Sequence, residues 1–371
     1  RSNVLLWNVD GKRFEFDGDR AGVDGSGWQS GAAVGDVNGD GWPDLFVSGY
    51  ADLNVRTDST AGFPNPFGAV PDLLFLNDGA VGRPTFTEVA AQAGIEADRT
   101  DYGLGAVWSD VDRDGDLDLY VANDTQSNRL YVNEAAPDTP LGFRLVDRGP
   151  AAGVDDPGAG MGVAMADHDG DGRPDIIVTN LASEGHGVFR SVEGSEPWAY
   201  EPARDAMGLG DLGIERTGWG TTWADLDLDG DLDLLVAQGA IPVQDLVADR
   251  EQLQAFENRA SEGEPGRFVE VTDTVGLAAG GELLARGLAA ADYDTDGDLD
   301  LAVGTIGGDL ALLRNTGAGG HWLIVAPEPA DPGTIVRVTG SDGAAQEREL
   351  QAGSSYLSSE DPRPHVGLGS D

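Results

Sequence analysis

The sequence predicts an all-β fold: a β-propeller of four-stranded blades, six by repeat count with seven allowed, closed by pairing of N- and C-terminal strands. Three observations carry this expectation. An acidic nonapeptide, D-x-[DN]-x-D-G-x-x-D, occurs five times, starting at Asp36, Asp110, Asp167, Asp225 and Asp292. Each copy runs straight into a short apolar stretch (DLFVSG, DLYVAN, DIIVTN, DLLVAQ, DLAVGT), the pattern of a strand buried on both faces. The loop starts lie 57 to 74 residues apart, a spacing typical of repeat architectures.

Each unit can be read strand by strand. The first strand is the small-residue stretch before the loop, with a glycine five residues upstream: Gly31, Gly105, Gly162, Gly220 and Gly287. Glycine inside a strand marks a place where another backbone comes close, so this strand is the crowded innermost one. The loop joins it to the second strand. The third ends in Asn or Ser, at Asn77, Asn133, Ser191, Asn258 and Asn315. The fourth has the form FxxV, as in FTEVAAQAGI, FRLVDRGPAAGV and FVEVTDTVGL. Four-stranded units repeated about an axis make a propeller. The N-terminus supplies VLLWN, ending at Asn8, and FEFDGDRAGV, which are strands three and four of a blade lacking its first two. C-terminal strands are expected to supply those, which favours a ring over a linear solenoid. Residues 51–71 read as a surface excursion between strands two and three. Residues 1–319 hold the repeats and 320–371 the closing segment, within one compact domain, because no Pro/Ser-rich linker divides them.

The loops carry the chemistry of a hard, oxygen-seeking cation, and about five Ca²⁺ sites are expected. The side-chain ligands are Asp36, Asn38, Asp40 and Asp44; Asp110, Asp112, Asp114 and Asp118; Asp167, Asp169, Asp171 and Asp175; Asp225, Asp227, Asp229 and Asp233; and Asp292, Asp294, Asp296 and Asp300. Position 7 adds a carbonyl from Trp42, Asp116, Arg173, Asp231 and Asp298, with the side chains of Asp116, Asp231 and Asp298 expected to point outward. An EF-hand would place a bidentate Glu at position 12 and continue into a helix. Here position 12 is Val47, Val121, Val178, Val236 or Val303, and a strand follows. Loops leading into fixed strands imply a structural metal, not a sensor. Asn38 removes one charge and weakens the first site.

Composition narrows the partners. The formal charge is −43, and about a third of the 66 acidic residues sit in the five loops. An acidic surface disfavours nucleic acid and anionic lipid. There is no cysteine and no apolar run long enough to span a membrane. A single lysine, Lys12, among 23 basic residues suits a salt-adapted or GC-rich source. No export signal is visible. Free Ca²⁺ is low in the cytosol, whereas extracellular modules fill sites of about 10⁻⁴ to 10⁻³ M, so an extracellular or periplasmic monomer is expected.

The repeats resemble the FG-GAP/VCBS family of calcium-loop propeller repeats, over about residues 4–317. The segment GTIVRVTGSDGAAQERELQAGSSYLSSEDPRPHVGLG, and within it Ala352 to Gly369, resembles the ASPIC/UnbV domain of the cartilage acidic protein family. The resemblance implies a secreted or surface calcium-binding propeller. Members occur as extracellular matrix proteins and as bacterial exported proteins, and association with natural-product gene clusters keeps an enzymatic role open. The family continues into a W-P-x-G stretch that does not occur here, and the spacer after HWLIVAP is short. A trimmed chain or a reduced variant is the expectation.

No G-x-S-x-G, HExxH or Walker pattern is present. Of four histidines, His168 is expected to be solvated at loop position 2, and His321 and His365 to be structural. His186, in a Gly-flanked turn, is the candidate for acid–base work. Propeller geometry puts the residues entering strand one at the mouth opposite the loops: Trp28, Gln29, Asp101, Tyr102, Met161, Arg216, Trp219 and Arg286. They line a small-molecule or glycan pocket or pack between blades. Trp108 and Trp223 read as blade core. The main functional expectation is a binding module for a glycan, protein or small hydrophobic molecule. The alternative is an enzyme in the axial mouth: a polysaccharide lyase using Tyr102, Arg216 and Arg286, or a terpenoid-type cyclase using Asp101, Trp28 and Trp219. A plugged axis would remove both enzymatic readings.

Overall fold

The computed structural model describes residues 3–16, 20–95, 101–194, 196–317, 319–341, 343 and 345–369. The continuation of the first FxxV segment through 17–19 lies outside them.

The chain is all-β, with antiparallel sheets arranged as a propeller in which the described residues form five blades. A hairpin of β1 (Leu6–Val9) and β2 (Arg13–Phe16) comes first. The first blade is β3 (Trp28–Gly35), β4 (Asp44–Arg56), β6 (Leu73–Asn77) and β7 (Phe86–Glu88), with β5 (Phe67–Ala69) added to the far end of β4. The second is β8 (Gly103–Ser109), β9 (Asp118–Asn123), β10 (Arg129–Ala136) and β11 (Gly142–Asp147). The third is β12 (Val163–Ala166), β13 (Asp175–Val178), β14 (Gly187–Ser191) and β15 (Tyr200–Pro202). The fourth is β16 (Gly218–Ala224), β17 (Asp233–Gln238), β18 (Gln254–Asn258) and β19 (Phe268–Glu270). The fifth has three strands: β20 (Ala285–Ala291), β21 (Asp300–Thr305) and β22 (Ala311–Leu313). Beyond it, β23 (His321–Ile324) pairs with β26 (His365–Gly369), and β24 (Ile335–Thr339) pairs with β25 (Ala345–Glu349).

Three expectations change. The fifth unit lacks a fourth strand among the described residues. The terminal strands pair within their own segments, and no strand pair joins the N-terminal to the C-terminal segment among the described residues. The 51–71 excursion is largely ordered, because β4 runs on to Arg56 and pairs with β5.

The glycine of each inner strand does what the sequence requires of it. A Cβ on Gly31 would meet the Leu104 carbonyl oxygen at 2.0 Å, one on Gly105 the Met161 oxygen at 2.6 Å, and one on Gly162 the Trp219 oxygen at 2.0 Å. Each is thus pressed against the inner strand of the next blade. Gly287 of the fifth blade is different, for its neighbours are Ser358 Oγ and the Tyr356 oxygen. There the C-terminal segment stands where a next blade would stand.

That segment fills the axis. It enters at the loop end, where the Ser109 hydroxyl donates to Glu349 at 2.5 Å. Gln351 then donates to the Met165 oxygen, Ala352 bridges to Val34, and Ser355 bridges to Val163 while its Oγ accepts the Thr221 N–H at 3.0 Å. Tyr356 reaches Trp219 at the far mouth, with ring centroids 4.9 Å apart. The chain turns there (Ser354 bridges to Ser358) and returns to the loop end, where His365 Nε2 lies 2.8 Å from the Gly297 oxygen and the Gly367 N–H donates to Asp225. Between Gln351 and Ser355 it is held by backbone and hydroxyl bonds, which is why no hydrophobic period announces it in the sequence.

Candidate metal loops and the opposite mouth

Each loop is folded by its own carboxylates. In the first, Asp36 accepts the N–H groups of Asp40 and Gly41 at 3.0 and 2.7 Å, and the Trp42 N–H donates to Asp40. In the second, Asp110 accepts from Asp114 and Gly115, and in the fifth Asp292 accepts from Asp296 and Gly297. Gly at position 6 is held at a positive φ in all five loops, 86° and 87° at Gly41 and Gly172 and near 100° at Gly115, Gly230 and Gly297, a region that favours glycine.

The ninth-position Asp is a structural hub. One oxygen of Asp44 accepts the Val37 N–H at loop position 2, and the other accepts the Asn77 N–H where strand three ends. The same strand-three bond recurs as Asn133 to Asp118, Ser191 to Asp175, Asn258 to Asp233 and Asn315 to Asp300, at 2.7 to 2.9 Å. This is the physical reason for the Asn/Ser signature. The Asn side chain also ties blades together. Asn133 Nδ2 donates to the Val37 oxygen, Asn258 Nδ2 to the His168 oxygen and Asn315 Nδ2 to the Leu226 oxygen, each acceptor at position 2 of the preceding blade's loop. Ser191 is too short for this link.

Four loops gather three carboxylates whose oxygens lie within 4.8 Å of one another: Asp110, Asp112 and Asp118; Asp167, Asp169 and Asp175; Asp225, Asp227 and Asp229; Asp292, Asp294 and Asp300. In the first loop, Asn38 instead donates to Asp40 at 3.0 Å. Burial, with neighbouring carboxylates adding to it, pushes Asp118 up to about 8, Asp44 and Asp225 to about 7, and Asp112, Asp167 and Asp227 to about 6. Crowded, partly buried carboxylates of this kind suit a hard divalent cation, which would relieve their repulsion. In the fifth loop a cation already stands there, since Arg314 Nε lies 2.6 Å from Asp294 and its Nη2 2.8 Å from Asp296.

Two position-specific expectations fail at the loops. His168 is not solvated: it is 4% exposed, bonds Asp175 through Nδ1 and stacks on Trp223 at 5.2 Å. The signal was in the other copies, because position 2 elsewhere is Val37, Val111, Leu226 or Tyr293, so it is a seam position. Asp298 is buried, whereas Asp116 is exposed and Asp231 lies half-buried with Ser261 donating to it. His321 is exposed at the start of β23.

At the mouth the structure brings together Tyr102, Met161 and Trp219 with Tyr50, which the sequence reading missed, and it seats Tyr356 among them. Tyr50 donates to Asp124 at 2.7 Å and packs against Tyr102 at 6.0 Å and Trp28 at 4.9 Å. Arg286 lies 3.7 Å over the Trp219 ring and donates to the Gly239, Ala240 and Ala285 carbonyls. The remaining candidates lie apart. Asp101 is held by Arg129 at 2.8 Å, Gln29 lies against Gly25, and Arg216 lines a separate polar cavity of about 310 Å³. His186 is 2% exposed and its Nδ1 accepts the Asn180 N–H at 3.1 Å; burial, with Arg204 adding to it, pushes it down to about 3. It is a neutral core residue with no route to solvent-borne substrate. Trp108 and Trp223 are buried core, as read. Tyr356 therefore plugs the mouth where both enzymatic readings placed their site. A cavity of about 370 Å³ remains beside the plug, lined by Ser30, Ser354, Ser355, Ser358 and Ser359 with small inner-strand residues.

Two family models match: an FG-GAP-like repeat over residues 110–178, and ASPIC and UnbV over 327–371. Cartilage acidic protein 1 of Mus musculus is 27% identical over 356 residues, covering 91% of this chain and 49% of that protein. The Homo sapiens protein of the same name is 26% identical, covering 91% and 48%. The chain thus spans about half the length of the curated relatives it matches. Among solved structures, Bacillus licheniformis rhamnogalacturonan lyase PL11 aligns at 15% identity over 86% of this chain and 67% of that one. The TM-score of that alignment is 0.28. The chain is a β-propeller in which residues 110–178 match an FG-GAP-like repeat and residues 327–371 match ASPIC and UnbV, and over most of its length it is similar to cartilage acidic protein 1.

Proposed function

We propose that the chain is a secreted, calcium-stabilised propeller that serves as a rigid binding module. One observation carries the calcium half. The same Asp that would hold the ion at position 9 also holds strand three of its blade, and the adjoining Asn holds the preceding blade. A cation there would lock blade to blade. The chain's own oxygens at positions 1, 3, 5 and 9, with the position 7 carbonyl, would hold it; the ion supplies charge neutralisation. Metal sites wired this way into fixed strands leave no hinge to move, which supports scaffolding over signalling. Sites of this type fill where calcium is abundant, which supports placement outside the cytosol.

The binding half rests on the mouth. Around the plug, Trp28 is 45% and Phe63 is 50% exposed, and both pack on Tyr50. Exposed aromatic rings on a rigid base suit a glycan, a protein surface or a small hydrophobic molecule. Calorimetric titration of Ca²⁺ into chelated protein tests the first half, with about five sites expected and one fewer in Asp233→Ala. No binding heat would end the calcium reading. A glycan and protein array probed with wild type and with Trp28→Ala/Phe63→Ala tests the second; binding unchanged in the double variant would move the surface elsewhere.

A further inference from the structure

The seams between blades follow a rule, and one seam breaks it. In each complete blade the fourth strand brings an aromatic ring into the seam. Phe143 joins the cluster of blades one and two, Tyr200 that of blades two and three, and Phe268 that of blades three and four. Phe86 packs likewise on the cluster of Ala21, Val23, Val47 and Phe75. The fifth blade stops at β22, which pairs only with β21 among the described residues. The buried cluster between blades four and five contains no aromatic residue. A groove of about 500 Å³ lies there instead, walled chiefly by Leu235, Ala255, Val271, Leu299, Leu301 and Leu313, with Phe256, Glu257 and the fourth-loop residues Asp227 and Asp233 also on its lining.

The other blades show what fits. Three of the four complete blades share one register: Phe86 lies opposite Asn77, Tyr200 opposite Ser191, and Phe268 opposite Asn258; in the second blade Leu145 lies opposite Asn133 and Phe143 opposite Ala135. The corresponding residue of the fifth blade is Asn315, at the rim of the groove. The next register position is read from the third blade, where Arg190 lies opposite Glu201 and forms an ion pair with it. Arg314 holds that position in the fifth blade; it is 53% exposed and already pairs with Asp294 and Asp296 of the fifth loop, as Arg190 reaches Asp169 of its own loop while pairing with Glu201. A free strand edge beside an apolar groove is a template for strand addition.

We propose that the edge of β22 and this groove bind an extended peptide strand from another polypeptide. Its aromatic residue lies opposite Asn315 and enters the groove. Its next residue, preferably acidic, lies opposite Arg314, and a β-branched residue follows two positions later, as in the chain's own FxxV strands. The inference does not depend on the calcium reading, and the measurements below are made at one fixed, saturating calcium concentration so that the loops do not vary.

The test uses the whole chain and a fluorescent peptide, Arg-Phe-Glu-Glu-Val-Thr-Asp, which is segment 267–273 with Glu in place of Val at the second strand position. Anisotropy should show saturable binding, and replacing the peptide Phe by Ala should weaken it at least about tenfold, as for a buried aromatic anchor. Hydrogen exchange should slow at 311–315 when peptide is added. A peptide with Arg in place of the first Glu should bind more weakly. Absence of saturable binding below millimolar peptide, indifference to the Phe, or protection that appears elsewhere would overturn the proposal. So would protection of 311–315 that rises with protein concentration alone, since that would give the edge to a second copy of this chain.

Discussion

At the loop end of the axis, blades are joined by carboxylates, backbone N–H groups and Asn amides, as in the chain from Asp118 through Asn133 to the Val37 oxygen. At the other end they are joined by rings, as where Tyr50, Tyr102 and Trp219 surround Tyr356. The first set is electrostatic and gathers carboxylates that suit a cation. The second is apolar and needs none. A change at one end should therefore respond to calcium, and a change at the other should not.

The largest effect is expected at a ninth-position Asp. Asp118→Ala would strand the N–H groups of Val111 and Asn133, both buried, and remove a metal ligand. Two unsatisfied buried donors cost about 3–5 kcal/mol together, read from urea unfolding in calcium, and chelation should shrink the difference from wild type. Tyr356→Ala should cost about 3 kcal/mol through lost packing, equally with and without calcium. If both variants answered to calcium alike, the two ends would not be distinct.

A smaller effect separates the blades. Asn258→Ala removes bonds to the His168 and Leu232 oxygens and should cost about 1–2 kcal/mol. Ser191→Asn tests the converse, since it could restore the missing link to the second loop. A gain of about 0.5–1 kcal/mol is expected, and a loss would show that the third blade is spaced differently.

The smallest effect is one of pH. Burial pushes Glu360, on the returning arm of the plug, up to about 7, with the Thr222 hydrogen bond acting the other way. A folded value raised above the unfolded one means that the stabilisation is fully present below about pH 4 and is lost as pH rises through 7. In saturating calcium, wild type should lose melting temperature from pH 5 to 8 relative to Glu360→Gln. Parallel curves would show that Glu360 is solvated.

Much of this was legible in the residues. The nonapeptides gave the loops, the upstream glycines gave the inner strands, and the Asn/Ser signature marked strand three before its partner was known. What escaped had weak or misread signals. The plug segment AGSSYLSS has no apolar period, because its contacts are mostly backbone and hydroxyl bonds inside a channel lined by other strands. His168 is a polar residue at a position that holds Val37, Val111 and Leu226 in three other copies, so its burial is legible only from the repeats taken together. Tyr102, Met161 and Trp219 meet at the mouth, whereas Asp101 turns to Arg129 and Arg216 to a separate cavity, since strand entry fixes height along the axis and not side-chain direction.

The central claim is that cation loops, not the mouth, hold the blades together. Thermal unfolding of the intact chain in millimolar calcium and then in excess chelator tests it most directly. A fall in melting temperature of more than about 10 °C, restored by adding calcium back, is the expected result. An unchanged melting temperature would contradict it and leave the apolar seams and the axial plug as the framework.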